Sequence, residues 1–426
     1  MADRDALMAD AQSVNYPQLA LEAGRVFSPT APIDERSLFA GRDPQIRQVV
    51  DAILQKGQHA ILFGERGVGK TSLANVLSTF LSAPGALLIL APRVNCDGLD
   101  SFDSVWRKAF DQIDLQRQVQ QAGFGRGPKS EVFTAAAAML PDHSIPISPD
   151  HVRRGLTLLA QYATPIIIID EFDRLPAEPK RAFADTIKTL SDHSVGATVV
   201  LVGVADSVDQ LISEHQSVER ALVQVRIPRM SPTEIRAIIE KGLERLGMSI
   251  APSALHKISL LSQGLPHYTH LIGLYASRHA LDRGKLRITE DIVESAIQIA
   301  LNGAQQSVRS AWHRATSSPR KDNLFGDVLL ACALAKSDDL GYFAAQDVRE
   351  PIREITGKQY DIPSFSQHLN DFCEEKRGPI LQRTGTKRRF RFRFVNPLMQ
   401  PFVIMQGIAD NRIKKNLLDK IQDTKS

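Results

Sequence analysis

The sequence predicts an α/β domain with a mainly parallel sheet, followed by an all-helical domain and a smaller domain of three helices and a β-hairpin. Between Phe39 and Pro228, short apolar runs alternate with helical patterns. From Ser231 to Leu301 the apolar residues keep a helical spacing, and after residue 317 three helical stretches precede two strand-like runs. Alternating strands and helices are typical of a parallel sheet covered by helices.

Four apolar runs predict the strands of the α/β domain. Each consists mainly of Ile, Val and Leu and is bounded by turn residues, which is the pattern of strands buried on both faces. The runs are His59–Phe63, Ala86–Leu90, Pro165–Asp170 and Ala197–Val202. Segment 120–147 contains several Gly, Pro and Ser residues, and we expect an inserted or mobile loop there.

The later domains begin at recognisable signals. Ser231-Pro-Thr-Glu234 supplies a capping serine, a proline suited to the first helical turn and a glutamate that can return the capping-box bond. Three helical stretches between 324 and 376, followed by a hairpin that turns at Gly385, are the order of a winged helix-turn-helix. We therefore expect an N-terminal arm (1–37), the α/β domain (38–230), a helical lid (231–316), a winged-helix domain (317–405) and a C-terminal tail helix (406–426).

Length and composition exclude several classes of protein. The 426 residues are too many for one ordinary domain, and 43% hydrophobic with 23% charged residues is a globular composition. The apolar runs are far shorter than the roughly 20 residues of a membrane-spanning helix, and no apolar signal-peptide core follows the charged N-terminus. Three widely separated cysteines indicate neither a zinc site nor disulfides. We expect a cytoplasmic protein with no membrane partner.

The small net charge of +4 is concentrated near the C-terminus. Residues 1–320 carry equal numbers of acidic and basic side chains, whereas 321–426 carry 18 basic and 14 acidic ones. Six basic residues lie between Arg383 and Arg393, and no acidic residue occurs from Pro379 to Ala409. Such a local basic excess attracts phosphates.

The strongest chemical signal is a glycine-rich segment between a predicted strand and a predicted helix. It fits the phosphate-loop pattern G-x-x-x-x-G-K-[ST]. Backbone amides and the helix N-terminus would surround phosphates, Lys70 would reach the β- and γ-phosphates of ATP, and the Thr71 hydroxyl would bind Mg²⁺. The predicted nucleotide-binding residues here are Gly64, Glu65, Arg66, Gly67, Val68, Gly69, Lys70, Thr71 and Ser72.

Two carboxylates at the end of the third apolar run supply the second half of this site. Asp170 would hold Mg²⁺ through water, and Glu171 would polarise the water that attacks the γ-phosphate. Phosphoryl transfer needs a metal, a lysine and a water-orienting carboxylate, because its catalysis is mostly positioning and charge neutralisation. The sequence therefore predicts an ATPase site.

Weaker signals follow the next strand. Asp206 or Ser207 could sense the γ-phosphate, although an ordinary capped turn has the same sequence pattern. Arg220 could stabilise the transferring charge in a neighbouring subunit, with Arg226 and Arg229 as further candidates. Arginines at such positions also form ordinary surface ion pairs.

These segments together resemble AAA+ ATPases of the origin-recognition (initiator) clade and the related STAND switch ATPases. The resemblance rests on Phe39-Ala-Gly-Arg-Asp43, on Asp170-Glu-Phe-Asp-Arg-Leu175, on the helical lid and on the C-terminal winged helix, and it covers most of 38–405. It implies an AAA+-like P-loop NTPase fold, with Gly41 and Arg42 beside the nucleotide base.

The lid departs from the initiator pattern. It reads Gln263-Gly-Leu-Pro-His267 where initiator proteins place an arginine that contacts the nucleotide. The Gly-Leu-Pro triplet resembles the STAND lid motif, in which the proline, here Pro266, packs near the adenine. The resemblance therefore implies a nucleotide-gated switch more than a fast motor.

The basic run 387–394 predicts a two-sided strand. Side chains alternate along a strand, so the basic residues at odd positions share one face and the three phenylalanines share the other. A basic stripe suits duplex phosphates, and the preceding helix could enter a groove. The predicted DNA-binding residues are Gln367, Asn370, Lys387, Arg388, Arg389, Arg391 and Arg393. The same stripe could instead be solvated or dock on an acidic protein surface.

Three functions remain open at this stage. The leading one is an ATP-binding, slowly hydrolysing ATPase that changes its self-association with nucleotide state and binds DNA through the winged helix. The second is an ATP-gated switch in a bacterial defence or signalling system whose winged helix binds a protein effector. The third is a helper ATPase of a transposase or a replication loader.

Overall fold

The computed structural model divides into two compact units. It describes residues 15–29, 41–81, 88–119, 129–206, 208–212, 218–304, 306–319, 323–338, 340–386 and 389–413. Within these residues, the α/β unit is drawn from Pro32–Met230 and Asp338–Gly341. The helical unit is drawn from Met1–Ala31, Ser231–Ser337 and Tyr342–Ser426.

Helices and strands are numbered along the chain. The helices are α1 (Tyr16–Val26), α2 (Asp43–Leu54), α3 (Lys70–Leu81), α4 (Phe102–Asp111), α5 (Ala135–Met139), α6 (Pro149–Leu159), α7 (Ala177–Asp192), α8 (Pro232–Arg245), α9 (Pro252–Ser262), α10 (Pro266–Asp282), α11 (Glu290–Asn302), α12 (Gln306–Thr316), α13 (Phe325–Leu334), α14 (Arg349–Thr356), α15 (Ile362–Asp371) and α16 (Met399–Ala409). The strands are β1 (His59–Gly64), β2 (Ile89–Leu90), β3 (Arg93–Asn95), β4 (Asp114–Val119), β5 (Lys129–Thr134), β6 (Thr164–Asp170), β7 (Thr198–Val204), β8 (Leu222–Arg226), β9 (Ser249–Ile250), β10 (Arg287–Ile288), β11 (Phe343–Ala344), β12 (Leu381–Thr384) and β13 (Arg391–Phe394).

A six-stranded parallel sheet forms the centre of the α/β unit. Its order is β2-β6-β7-β1-β8, and β3 also pairs with β6. The parallel sheet predicted from the apolar runs is confirmed, and β1 is buried along its whole length. Because the strands are parallel, the carboxyl ends of β1, β6 and β7 lie at one edge, where ligands bind in open α/β sheets.

Two parts of the α/β unit differ from the prediction. The expected loop over 120–147 contains β5 and α5, and β5 pairs antiparallel with β4; residues 120–128 lie outside the described part of the chain. Strands β3, β4 and β8 were also not predicted. Both β5 and β8 mix polar with apolar residues, so neither has the continuous apolar run that marks a strand buried on both faces.

An aromatic cluster joins α4, α7 and the segment that follows β6. The Trp106 ring of α4 stacks on Phe183 of α7 at a centroid distance of 5.5 Å, and Phe102 meets the same ring edge-on at 5.1 Å. Phe172 also contacts Phe183, at 5.4 Å, and it is fully buried. The cluster thereby anchors the chain immediately after Asp170 and Glu171.

The helical unit contains the predicted helices beyond Ser231. The expected capping box is present, because the Ser231 hydroxyl accepts from the Glu234 amide at 3.2 Å and the Glu234 carboxylate accepts from the Ser231 amide at 2.8 Å. Helices α8 to α11 follow, with the short parallel pair β9 and β10 between their ends. None of the described helices is both long and apolar enough to cross a membrane.

The C-terminal part of the helical unit has three helices and a small antiparallel sheet. Helices α13, α14 and α15 precede the hairpin, and the sheet has the order β11-β13-β12. Phe392 and Phe394 are buried, as the alternation predicted. Strand β13 begins only at Arg391, so Arg389 lies in the turn. The tail helix predicted over 406–426 is not present as predicted, because α16 begins at Met399 and ends at Ala409, and residues 410–413 are not helical. Residues 414–426 lie outside the described residues.

The N-terminal segment contributes α1 to the helical unit. Phe27, directly after α1, is completely buried. Its ring lies 6.1 Å from that of His270, and a Cβ added to Gly242 would lie only 2.4 Å from the Phe27 ring. A glycine at 242 thus creates the space that the phenylalanine fills.

We expect Phe27→Ala to destabilise the helical unit by about 3–5 kcal/mol, because it removes a fully buried ring and leaves a cavity. Chemical denaturation followed by circular dichroism measures the change. The matched control is Leu21→Ala on the same helix, since Leu21 is 74% exposed and its truncation should change stability by less than about 0.5 kcal/mol. Equal losses in the two variants would show that α1 is not packed as described.

Candidate nucleotide-binding site

A tight turn connects β1 to α3 and forms the phosphate loop. A Cβ added to Gly64 would lie 2.3 Å from the carbonyl oxygen of Ile227, so only glycine fits at the end of β1. Gly67 and Gly69 have φ values of 87° and 94°, which glycine adopts readily. The turn ends at the N-terminus of α3, where backbone amides and the helix dipole favour an anion.

Lys70 is a buried cation at the centre of this loop. Its Nζ donates to the carbonyl oxygens of Gly64 at 3.0 Å and Glu65 at 2.7 Å. Burial lowers the Lys70 pKa to about 8, although the negative charges of Asp173, Asp170 and Glu65 act in the opposite direction. A buried ammonium inside a turn of this geometry fits a phosphate group.

Asp170 lies at the carboxyl end of β6 and is 2% exposed. Its Oδ2 accepts from Arg93 Nη2 at 2.7 Å, and its Oδ1 accepts from the Glu171 amide at 2.8 Å. Arg93 also donates to the side chain of Asn75 on α3. Arg93 therefore links the helix behind the phosphate loop to the carboxylate predicted to hold Mg²⁺.

Glu171 is placed differently from its neighbour. Its side chain is about half exposed and accepts from Arg174 at 2.8 Å, and its backbone has the left-handed φ of 55°.

Two further aspartates lie near the ends of β6 and β7. Asp173 Oδ1 accepts from the Val204 amide at 2.8 Å and so connects the carboxyl ends of β6 and β7. Asp206 follows β7, and its amide donates to Gln210 Oε1 at 2.9 Å in a capped turn. Ser207 lies outside the described residues.

Arg42 contacts the phosphate loop through its guanidinium group. It is 2% exposed and follows Gly41 in a left-handed conformation with φ of 69°. Its Nη2 donates to the carbonyl oxygens of Val68 at 3.1 Å and Pro228 at 2.6 Å. The guanidinium thus supports the loop backbone, and the predicted contact with the nucleotide base stays a prediction.

The three candidate arginines near β8 occupy different environments. Arg229 donates to the Glu65 carboxylate through Nε at 2.7 Å and Nη2 at 2.9 Å, so it belongs to the phosphate loop of its own chain. Arg220 is exposed, and its carbonyl oxygen accepts from Gln58 Nε2 at 3.1 Å. Arg226 is also exposed. Arg220 therefore keeps the accessibility that contact with a neighbour requires.

The lid candidate lies in the helical unit. Pro266 is the first residue of α10, and its contact with adenine stays a prediction. Next to it, His267 Nδ1 lies 2.7 Å from the Pro29 carbonyl oxygen, and burial lowers the His267 pKa. This imidazole is therefore engaged by the N-terminal segment and stays neutral near pH 7.

Both predicted DNA-binding side chains on α15 make hydrogen bonds within their own unit. Gln367 is exposed and donates to Asp371 at 2.7 Å. Asn370 Oδ1 accepts from Arg383 Nη1 at 2.7 Å. Both amide side chains thus have partners within their own unit, and their contact with DNA stays a prediction.

The basic residues predicted to share one face of the hairpin differ in exposure and in their contacts. Arg389 and Arg391 are exposed. Arg391 donates to the Tyr342 carbonyl oxygen at 3.3 Å, and the Arg393 guanidinium lies 4.6 Å from the centre of the Tyr342 ring. The two remaining candidates, Lys387 and Arg388, lie outside the described residues.

Sequence reasoning missed Arg93, and it did not predict the contacts that Arg229 and Asp173 make in the site. Arg93 and Arg229 neutralise carboxylates, and Asp173 joins two strand ends. Asp173 belongs to the motif that follows Asp170, but its hydrogen bond to the end of β7 joins residues 31 positions apart and no local pattern predicts it. Within the described part of the chain, no group of three His, Cys, Asp or Glu side chains could hold a metal ion.

Comparison with known proteins finds a family model that matches the segment containing this site. Residues 38–202 match the family model described as "AAA ATPase domain". The segment includes the phosphate loop and the carboxylates after β6. The α/β unit therefore has the P-loop AAA+ fold that the sequence predicted, whereas no curated protein matches the chain.

Several solved structures are similar over nearly the whole chain. The ORC2 protein of Aeropyrum pernix, in ADPNP and ADP complexes, is 15% identical with a TM-score of 0.49, and the alignment covers 94% of this chain and 98% of that one. A Walker-type ATPase of Pyrococcus abyssi is 14% identical with a TM-score of 0.49 and coverages of 89% and 99%. The Aeropyrum pernix ORC1 protein in complex with DNA is 18% identical with a TM-score of 0.44 and coverages of 91% and 97%.

The lowered Lys70 pKa predicts a pH dependence of ATP affinity. Phosphate binding requires the ammonium form, whereas Lys70 in the free protein loses its proton near pH 8. Phosphate groups with a pKa of about 6 are already ionised there. ATP binding should therefore take up a proton, and affinity should fall above pH 8 by up to about tenfold per pH unit. Calorimetric titrations between pH 7 and 9.5 measure this, and a constant affinity would contradict it.

Proposed function

We propose that this chain is an ATP-binding and slowly hydrolysing ATPase of the AAA+ or STAND type. In this proposal it acts in the cytoplasm as a nucleotide-dependent assembly switch that binds DNA through a C-terminal winged helix. One observation carries the nucleotide part: the buried Lys70 ammonium is held by the carbonyl oxygens of a glycine-rich turn, at the edge of the sheet where Asp170 and Glu171 emerge.

The residues of the loop would bind and orient the triphosphate. Lys70 would exchange its bonds to loop carbonyls for bonds to phosphate oxygens, and the amides at the start of α3 would hold the neighbouring oxygens. The Thr71 hydroxyl and the Asp170 carboxylate would hold Mg²⁺, which when bound neutralises phosphate charge. The Glu171 carboxylate would accept a hydrogen bond from the attacking water and so orient it.

The ion pairs of the acidic side chains support slow hydrolysis. Glu171 is paired with Arg174, so it must leave this partner before it can orient water. Such an exposed pair is worth only about 0–1 kcal/mol, so it slows the step without preventing it. Asp170 is paired with Arg93 in a much more buried position. In this proposal both carboxylates must rearrange before hydrolysis, and this rearrangement slows turnover.

The lid supports a switch rather than a motor. The neutral His267, engaged by Pro29, supplies no positive charge for phosphates. In the proposed assembly, the exposed Arg220 would reach the nucleotide of a neighbouring subunit and thereby make self-association depend on the bound nucleotide.

The DNA part of the proposal rests on charge and element order. Helices α13 to α15 followed by the β12–β13 hairpin have the order of a winged helix. The exposed Arg389 and Arg391 project from a hairpin region that contains no acidic residue between Pro379 and Ala409. We propose that they contact phosphates, with Lys387 and Arg388, which lie outside the described residues, as further contacts.

We expect Lys70→Ala to weaken ATP binding by about 100-fold or more, because it removes the cation that meets the phosphates. Glu171→Gln should keep ATP affinity within a few fold and slow hydrolysis by about 100-fold, because it removes only the water-orienting charge. Fluorescent-nucleotide titration and phosphate-release assays measure the two effects. Glu178→Gln, an exposed change on α7, is the control and should hydrolyse like the parent. Parental turnover in Glu171→Gln would refute that residue's role.

We expect DNA binding to weaken as the salt concentration rises. If K is the association constant for DNA, each phosphate contact contributes about −0.9 to the slope of log K against log salt concentration, and four contacts give a slope of about −3 to −4. Arg389→Glu with Arg391→Glu should weaken binding to every duplex and flatten the slope by about 2, without changing ATP affinity. Fluorescence anisotropy at several salt concentrations measures the slope. The matched control is Lys285→Glu with Arg287→Glu, two exposed positions elsewhere in the helical unit. Unchanged DNA affinity in the hairpin variant would favour the alternative in which this region binds a protein effector.

A further inference from the structure

The phosphate loop contains a carboxylate of its own. Glu65 follows Gly64 directly, and its side chain is only 6% exposed. Its backbone carbonyl is one of the two oxygens that hold Lys70 Nζ, at 2.7 Å. The Glu65 charge is also close enough to favour the protonated form of Lys70 and so to oppose the lowering of the Lys70 pKa.

A buried carboxylate in this place conflicts with anion binding. Coulomb repulsion between Glu65 and a triphosphate would be only weakly screened, because both charges lie away from bulk water. Glu65 must therefore be neutralised if the loop is to bind phosphates tightly.

Arg229 supplies this neutralisation. Two parallel hydrogen bonds join the groups, from Nε to Oε2 at 2.7 Å and from Nη2 to Oε1 at 2.9 Å. The Arg229 side chain is 15% exposed. Bidentate arginine–carboxylate pairs have a fixed geometry, so this one also fixes the position of Glu65 and its carbonyl oxygen.

We propose that Arg229 is a positioning residue of the nucleotide site, which cancels the charge of Glu65 and so permits the loop to bind a nucleoside triphosphate. This inference rests on the proposed nucleotide binding. It also assigns Arg229 to its own subunit and leaves Arg220 as the residue proposed to reach a neighbour.

Charge neutralisation and a purely structural clamp predict different results. If the pair served only to hold the loop in shape, removing either partner would weaken ATP binding. If Arg229 cancels a repulsive charge, its loss weakens binding, whereas loss of the Glu65 charge leaves an extra cation near the phosphates and strengthens binding. The signs of the two single changes therefore separate the two roles.

The experiment compares Arg229→Met, Glu65→Gln and the double variant of the full chain by titration with ATP and ADP. Methionine keeps an apolar stem in place of the arginine stem and removes the charge. We expect ATP affinity to fall by about tenfold or more in Arg229→Met, to rise by about threefold in Glu65→Gln and to recover most of the loss in the double variant. The loss should be larger for ATP than for ADP, because ATP carries more negative charge.

Weaker binding by Glu65→Gln, or a double variant no better than Arg229→Met, would overturn the inference. Arg153→Met is the control, since Arg153 pairs with Asp150 on α6, away from the loop, at 2.7 Å. If Arg229→Met does not fold in thermal melts, the sign of the Glu65→Gln effect alone decides. If the folded parent binds no ATP, the proposed function fails and the inference with it; if the parent binds and Arg229→Met binds equally well, only the inference fails.

Discussion

The burial of one cation, Lys70, is the constraint on which the rest of the site depends. Removing an ammonium from water is costly unless hydrogen bonds and opposite charges compensate. The loop carbonyls of Gly64 and Glu65 provide the hydrogen bonds, and carboxylates on neighbouring segments provide the opposite charge. A glycine at 64 is required because the Ile227 carbonyl lies where a side chain would be.

The compensating carboxylates create a second problem, because a nucleotide brings further negative charge to the same place. Three carboxylates of the site are paired with arginines, whereas the Asp173 carboxylate accepts from the Val204 amide. The pairs are Glu65 with Arg229, Asp170 with Arg93 and Glu171 with Arg174. Two of these pairs are largely buried and the third is about half exposed. Rearranging them costs free energy, which fits the proposed preference for holding ATP over rapid turnover.

The parts of the site that could be predicted from the sequence are those formed by contiguous residues. The β1–loop–α3 connection depends on a strand, a turn and a helix that follow one another, and Asp170 ends an unbroken aliphatic run. The pairing of Arg93 with Asp170 and of Arg229 with Glu65 could not be predicted, because the partners lie 77 and 164 positions apart in sequence. Their contacts depend on β3 pairing with β6 and β8 pairing with β1, which no local pattern specifies.

The helical unit shows the same division. The capping box at Ser231 is local and was predictable, whereas the packing of Phe27 against Gly242 joins distant segments and was not. In the hairpin, period-two alternation correctly placed Phe392 and Phe394 on the buried face. It extended the strand too far toward the turn, because alternation of residue types does not show where strand pairing ends.

The most direct test of the central claim is equilibrium binding of radiolabelled ATP to the folded full chain, with chromatography of the bound nucleotide over time. The site described here predicts one ATP per chain, recovered mostly as ATP at early times and only slowly converted to ADP. Absence of bound nucleotide on correctly folded protein, in the presence of Mg²⁺, would contradict it.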